Sequence, residues 1–375
     1  MQLSQQDSLR INVLLHQSLD AIRIDDGKMI VYGLTEKGEA KIELNPNCKD
    51  EVYIKRVKEV ISSHVLGSPG GYPVFLKRWT RMGQARSDSL ENLLKLGEPE
   101  AVVAVVGAQG ITNEIARRAW WVMPNSENAR RMLSNDDVVN GDMGKILAEF
   151  LLEFLPFEEE PRNIIESVRL VLQPGLITDE VCNELWKKGQ RKNAFLVGFL
   201  KTAQHTIPQQ AAEHKLLSTW QAQLTELSTT GNKYAQLLLE ILQPEGQAYF
   251  KTIEAVLKKP ANQDVVVALF EAIEGRFNSI RPHDEKRRDI NQVLAEAKDY
   301  CAECSNDEDK KAFDEINNLS LDLTMMLENL IVLSCVGEQL IAPIFATTDA
   351  VGSVMRRKIE PVTKPLTHCL NLLTD

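Results

Sequence analysis

The first 45 residues alternate between apolar and polar positions. Ile22 and Ile24 fall on one side of an extended segment, and Ile30, Tyr32 and Leu34 share a side of the next. Ala40, Ile42 and Leu44 share a side of a third, with Lys41 and Glu43 pointing away. Asp26-Gly27 between the first two is a type I′ hairpin signal, and Thr35-Glu36-Lys37-Gly38 is a four-residue loop with a glycine available for positive φ. The pattern predicts a three-stranded meander. A sheet this small is marginal in water, so a short helix over 7–17 is expected to cover one of its faces.

After Asn45-Pro46-Asn47 the period becomes helical. Tyr53, Val57, Val60, Ile61 and His64 follow one helical face, with Asn47 as N-cap, Asp50 at N3 and Gly67 as the stop; Lys55, Arg56 and Lys58 lie opposite. Beyond the loop Gly67-Ser68-Pro69-Gly70-Gly71-Tyr72, Pro73 opens a helix through Met82. A capping box, Asp88-Ser89-Leu90-Glu91, starts the next helix, to Leu96. Pro99, Thr112 and Pro124-Asn125 each start another. Helical patterning then continues over 145–155, 164–172, 178–188, 193–204, 209–228, 233–242, 245–258, 264–277, 284–304, 310–336 and a shorter tail. Short helices joined by two- to five-residue breaks predict stacked helix pairs, and the longer last helices predict a bundle. The expected fold is mainly α: a small N-terminal antiparallel β-meander (1–46), a domain of short helix pairs (47–205) and a C-terminal helical bundle (206–375). The stretches from Pro156 to Pro161 and at Thr206-Ile207-Pro208 read as linkers.

Composition narrows the class. The chain has 375 residues, 43% hydrophobic and 26% charged, with a net charge of −10, which argues against a general nucleic-acid or polybasic membrane binder. The charge is uneven: residues 1–46 carry −2, residues 47–135 carry +4 and residues 136–375 carry −12. The N-terminus has neither a basic n-region nor an apolar h-region, so a cytoplasmic location is expected. The most apolar long stretch, 319–336, contains Asp322, Glu328 and Asn329 and reads as a core helix rather than a membrane span.

Candidate chemistry is sparse. Cys48, Cys182, Cys301, Cys304, Cys335 and Cys369 are expected as thiols, and only Cys301-Ala-Glu-Cys304 has a suggestive spacing. No second CxxC accompanies it, so it reads either as two ordinary thiols on one helix face or as a thiol-dependent site. His205 and His214 read as surface groups. The run from Ala101 to Thr112, with Gly107 and Gly110, reads as a helix opened by Pro99 or as an incomplete nucleotide loop. Gly141-Asp142-Met143-Gly144-Lys145 lacks the residues of a P-loop. No catalytic residue, cofactor or metal site is expected.

The remaining constellation is basic and aromatic. Lys55 and Arg56 are followed by Lys77, Arg78, Trp79, Arg81 and Arg86, then by Arg117, Arg118, Trp120, Trp121, Arg130 and Arg131. Arg with Trp binds phosphates and stacks bases, and it is also the pair enriched in protein-interface hot spots. A third reading has the tryptophans in the core and the arginines paired with nearby Glu91, Glu98, Glu100, Glu114 and Glu127.

The segments His64-Val65-Leu66-Gly67-Ser68-Pro69-Gly70-Gly71-Tyr72-Pro73-Val74-Phe75-Leu76-Lys77-Arg78-Trp79-Thr80-Arg81-Met82-Gly83, Leu96-Gly97-Glu98-Pro99-Glu100-Ala101-Val102 and Ala116-Arg117-Arg118-Ala119-Trp120-Trp121 resemble the sulfur reduction protein DsrS family. Asp7-Ser8-Leu9-Arg10 and the Asn45-Pro46 turn are similar too. The likeness covers about 7–135; beyond that it is general in helicity and length. It implies a cytoplasmic accessory or regulatory protein encoded with the dissimilatory sulfite reductase system of sulfur-oxidising bacteria, without an assigned catalytic activity. The expected partner is a protein of that system, bound through the basic-aromatic region; the alternative is a post-transcriptional regulator binding RNA there. A thiol-dependent enzyme using Cys301 and Cys304 is the third reading.

Overall fold

The computed structural model describes residues 3–73, 87–202, 207–282, 287–302 and 307–374. The chain is mainly α, 69% helical, with one small sheet near its N-terminus. It divides into two compact units, Met1–Pro156 and Phe157–Asp375. This partition differs from the three expected domains. The meander does not close a core by itself, because helix Asp50–Leu66 supplies Tyr53, Ile54, Val57 and Ile61 to it. The single division falls at the start of the Pro156–Pro161 stretch.

In the first unit, α1 (Gln5–Leu15) precedes β1 (Leu19–Asp25), β2 (Ile30–Thr35) and β3 (Gly38–Glu43), which form an antiparallel sheet in chain order. Ile22, Val31 and Ile42 join Ile11 and Leu14 of α1 and the apolar face of α2 (Asp50–Leu66) in one core. Arg23 and Tyr32 are cross-strand partners and so share the opposite side of the sheet. Two turns differ from expectation. The first loop holds four residues, Asp26 to Met29, because the Asp25 carboxylate accepts from Lys28 N–H at 2.9 Å and Met29, not Gly27, takes φ 54°. The second is tighter than four residues, since Thr35 pairs with Gly38 at φ 113°. The N-cap of α2 is Lys49 rather than Asn47, while Gly67 ends the helix in the left-handed region as expected.

The unit continues with α3 (Ser87–Leu94), α4 (Pro99–Val106), α5 (Asn113–Val122), α6 (Ser126–Met132), α7 (Asp136–Val139) and α8 (Asp142–Phe154). Pro99 occupies the first turn of α4, so Ala101 to Val106 are helical; the strand that a nucleotide loop requires is not formed. Thr112 and Asn125 cap α5 and α6 through their side chains, as expected. The helix expected over 73–82 lies largely outside the described residues.

The second unit contains α9 (Pro161–Val171), α10 (Asp179–Gly189), α11 (Ala194–Leu200), α12 (Lys215–Thr229), α13 (Lys233–Leu242), α14 (Pro244–Lys258), α15 (Gln263–Phe277), α16 (Ile290–Ala302), α17 (Asp307–Asn317), α18 (Leu321–Ser334), α19 (Ala342–Phe345) and α20 (Gly352–Thr374). Every residue of α11 is buried, and a Cβ on Gly198 would collide with Val168, so the small residue lets α9 and α11 approach closely. Two expectations fail here. The helix over 310–336 is broken at Ser320, whose hydroxyl caps α18 by accepting from Asp322 N–H. The "shorter tail" is the 23-residue α20, which accommodates Pro361 and Pro365 because Met355, Ile359, Val362, Leu366 and Leu370 bury its other side. Among the described residues, no helix is long and apolar enough to cross a membrane.

Candidate interaction surface

The basic-aromatic residues divide by position. Lys55 is exposed on α2, and half-buried Arg56 approaches Cys48 Sγ at 3.8 Å. Arg117 and Arg118 lie on α5, and Arg130 and Arg131 on α6. Lys77, Arg78, Trp79, Arg81 and Arg86 lie outside the described residues.

The arginines on α5 and α6 are engaged with carboxylates. Arg118, with 17% of its side chain exposed, reaches Asp20 on β1 at 3.0 Å, Glu114 on its own helix at 3.1 Å and Glu91 on α3 at 3.6 Å. Arg117 is shared between Glu114 at 3.4 Å and Asp142 at 3.6 Å, and Arg131 pairs with Glu127 at 2.7 Å. Arg130 is engaged as well. Trp120 packs edge-on against Phe150 of α8 at 4.8 Å. The pairing half of the third reading describes these arginines; the core half does not describe Trp120, which is half-buried.

Trp121 does something different. Its ring lies 4.8 Å from the Arg23 guanidinium, which also stands 4.6 Å from the Tyr32 ring. Arg23 donates to Trp121 O at 3.3 Å and to Glu39 Oε2 at 3.3 Å, and Trp121 Nε1 donates to the same Glu39 oxygen at 3.1 Å. An arginine in contact with two aromatic rings and one carboxylate has lost most of its freedom, so it presents a pre-ordered surface of cation, ring and anion. It is partly exposed, Arg23 at 33% and Glu39 at 41%. Beside it lies a cavity of about 540 Å³ lined by Arg23, Asp25, Asp26, Lys28, Tyr32 and Pro99 among others. Sequence reasoning missed Arg23, Tyr32 and Glu39. The alternation of β1 sets Arg23 opposite Ile22 and Ile24, but the apolar run Ile30, Tyr32 and Leu34 makes the other side of β2 look like the core; Val31 takes the core position instead, which leaves Tyr32 beside Arg23.

The glycine turns are held by contacts within the fold. Gly71 takes φ 60° and its N–H donates to Ser62 Oγ at 2.7 Å, while Tyr72 N–H donates to the Glu98 carboxylate at 2.9 Å. A Cβ on Gly71 would collide with Glu98, so this carboxylate fills the Gly70–Gly71 turn. Gly107 ends α4, and Gly110 takes φ 84° in the turn before α5. Cys301 is half-buried near the end of α16, and Cys304 lies outside the described residues. Burial pushes the Cys182 and Cys335 thiols up and that of Cys369 up to about 11. His214 is buried rather than on the surface, and its Nδ1 accepts from Leu216 N–H at 3.2 Å to cap α12; His205 lies outside the described residues. No group of three or more His, Cys, Asp or Glu able to hold a metal occurs among the described residues.

Comparison with protein-family models, with curated proteins and with solved structures finds no match to this chain.

Proposed function

We propose that this chain is a non-catalytic accessory protein that acts by binding another protein, and that the contact is centred on Arg23, Tyr32 and Trp121. The observation that carries this reading is the state of the arginines. A nucleic-acid site draws its affinity from cations that exchange small counterions for phosphates. Arg117, Arg118 and Arg131 already have carboxylate partners, and Arg23 is shared between Glu39 and two rings. A partly exposed mixture of Arg, Trp, Tyr and Glu matches the composition of protein-interface centres. The resemblance of residues 7–135 to the DsrS family supplies the biological setting: a cytoplasmic accessory or regulatory role beside the dissimilatory sulfite reductase system.

The test is affinity capture from the cytoplasm of a sulfur-oxidising bacterium, with and without ribonuclease, using the natural chain, Arg23→Glu/Trp121→Ala and Arg78→Glu/Arg81→Glu. The expected result is a protein of the sulfite reductase system that survives ribonuclease and is lost with the first variant. Capture of RNA with a steep salt dependence, unaffected by Arg23→Glu/Trp121→Ala, overturns the reading in favour of direct RNA binding.

A further inference from the structure

The first unit places two histidines together that the sequence separates. α1 and α2 run in the same sense: the start of α1 meets the start of α2 where Tyr53 O–H donates to Asp7 at 2.6 Å, and their ends meet where the His16 and His64 rings lie 5.3 Å apart, tilted by 57°. Both side chains are exposed. His64 also lines the open groove between the two helices, with Asn12 and Ser63.

Three features of this pair point the same way. His16 Nδ1 lies 2.7 Å from Asn12 O. A carbonyl can only accept, so Nδ1 carries the proton and the neutral ring keeps its lone pair on Nε2. A histidine that ligates a metal is oriented in this way, donating its other N–H to a backbone carbonyl. The second feature is electrostatic. Parallel helices bring two partial negative charges side by side at their C-termini, and no Lys or Arg occupies the last turn of either α1 or α2. A cation is therefore favoured at this end.

The third feature is the spacing. With metal–nitrogen bonds of about 2.0–2.1 Å, two imidazoles on a tetrahedral ion have their centroids about 5.2 Å apart, against about 4.5 Å for a right-angled pair. The observed separation is 5.3 Å.

We infer that His16 and His64 form a two-histidine site for a divalent ion of the zinc type, bridging the ends of α1 and α2, with water in the remaining positions. Imidazole ligands suit zinc, nickel and copper and do not suit magnesium or calcium. Two protein ligands leave the ion open and its exchange easy, so the site differs from the closed four-ligand kind that folds a domain. It is independent of the Arg23–Trp121 surface and stands or falls separately.

The test uses the full chain stripped with chelator, zinc ions as the probe, and the variants His16→Gln and His64→Gln. Competition against a zinc indicator should give one saturable site in the natural chain, weakened about tenfold or more by each substitution. Zinc should raise the melting temperature of the natural chain and leave His64→Gln unmoved, because an ion held only by the folded state stabilises it. Melting without zinc checks that both variants fold. The inference is overturned if the natural chain has no saturable site, or if both folded variants keep its affinity, a result that places the ion away from this pair.

Discussion

The two units satisfy buried charge in different ways. In the first, Asp7 is fully buried in contact with neutral donors: Tyr53 O–H at 2.6 Å, Asn45 N–H at 2.7 Å and the Asn45 amide at 3.5 Å. In the second, two mostly buried carboxylates sit beside cations: Asp309 with Lys233 at 2.7 Å, and Glu274 with Arg281 at 3.0 Å. The difference follows from architecture. Where a strand hands over to a helix, the backbone N–H of Asn45 needs an acceptor, and Asp7 supplies it while pinning α1 to α2 through Tyr53. A bundle of helices satisfies its own backbone, so its carboxylates are left to join one helix to another. Arg281 does this by donating to Ser334 O at 2.7 Å as well as to Glu274.

The comparison can be broken at several points. The largest effect is expected from Asp7→Ala, which leaves the Asn45 N–H without its acceptor and the Tyr53 hydroxyl with only Ser4 Oγ at 3.2 Å, and should cost about 3 kcal/mol. Hydrogen exchange should show the loosening in α1, the sheet and α2, and none in the second unit. Arg281→Met should cost about 2 kcal/mol, since it removes the guanidinium from mostly buried Glu274 and the donor to the Ser334 carbonyl; urea denaturation measures it, with the exchange change confined to 157–375. Arg118→Met removes one partner from three carboxylates that keep solvent access, and about 1 kcal/mol is expected. A larger loss would mean that this guanidinium, rather than Asp7, closes the first unit.

The smallest effect is expected from acid. Burial pushes the Asp7 carboxyl up, but the hydrogen bonds from Tyr53, Asn45 and Ser4 outweigh it and hold the group below the ordinary carboxylate value. Its contribution is therefore complete above about pH 4 and fades as the pH falls through the lowered value. The loss is smaller than in Asp7→Ala because the protonated carboxyl keeps its oxygens. Asp309 is lowered too, burial being outweighed by Lys233 and Tyr300, so both units lose stability in acid. In Asp7→Asn the acid-dependent loss should shrink in the first unit alone, leaving there the smaller part carried by Asp25 and Glu43, as followed by exchange at pH 3 and 6.

Much of this architecture was legible in the residue pattern. The period-two runs gave the meander, and the caps at Thr112 and Asn125 fall where the side chains predict. The turn at Asp26 to Met29 was not legible, because Met29 is a residue type that rarely takes positive φ. α20 was not legible either: two prolines weigh against a helix locally, and the packing of Met355, Ile359, Val362 and Leu366 overrides them. At the candidate surface, the local partners Glu114 and Glu127 could be anticipated from i,i+4 spacing. Glu91 was among the expected partners too and meets Arg118 at 3.6 Å, whereas Asp20 and the Arg23–Trp121 contact depend on how α5 lies against β1, which no local pattern encodes.

The link between Arg23 and Trp121 spans 98 positions of the chain. During synthesis at about 5–20 residues per second, Arg23 and Tyr32 leave the ribosome about 5–20 seconds ahead of the tryptophan that will cover them. Through that interval the sheet has α1, then α2, on its core side and an open cation–aromatic side. That exposed side is available to any chaperone or partner that engages the nascent chain.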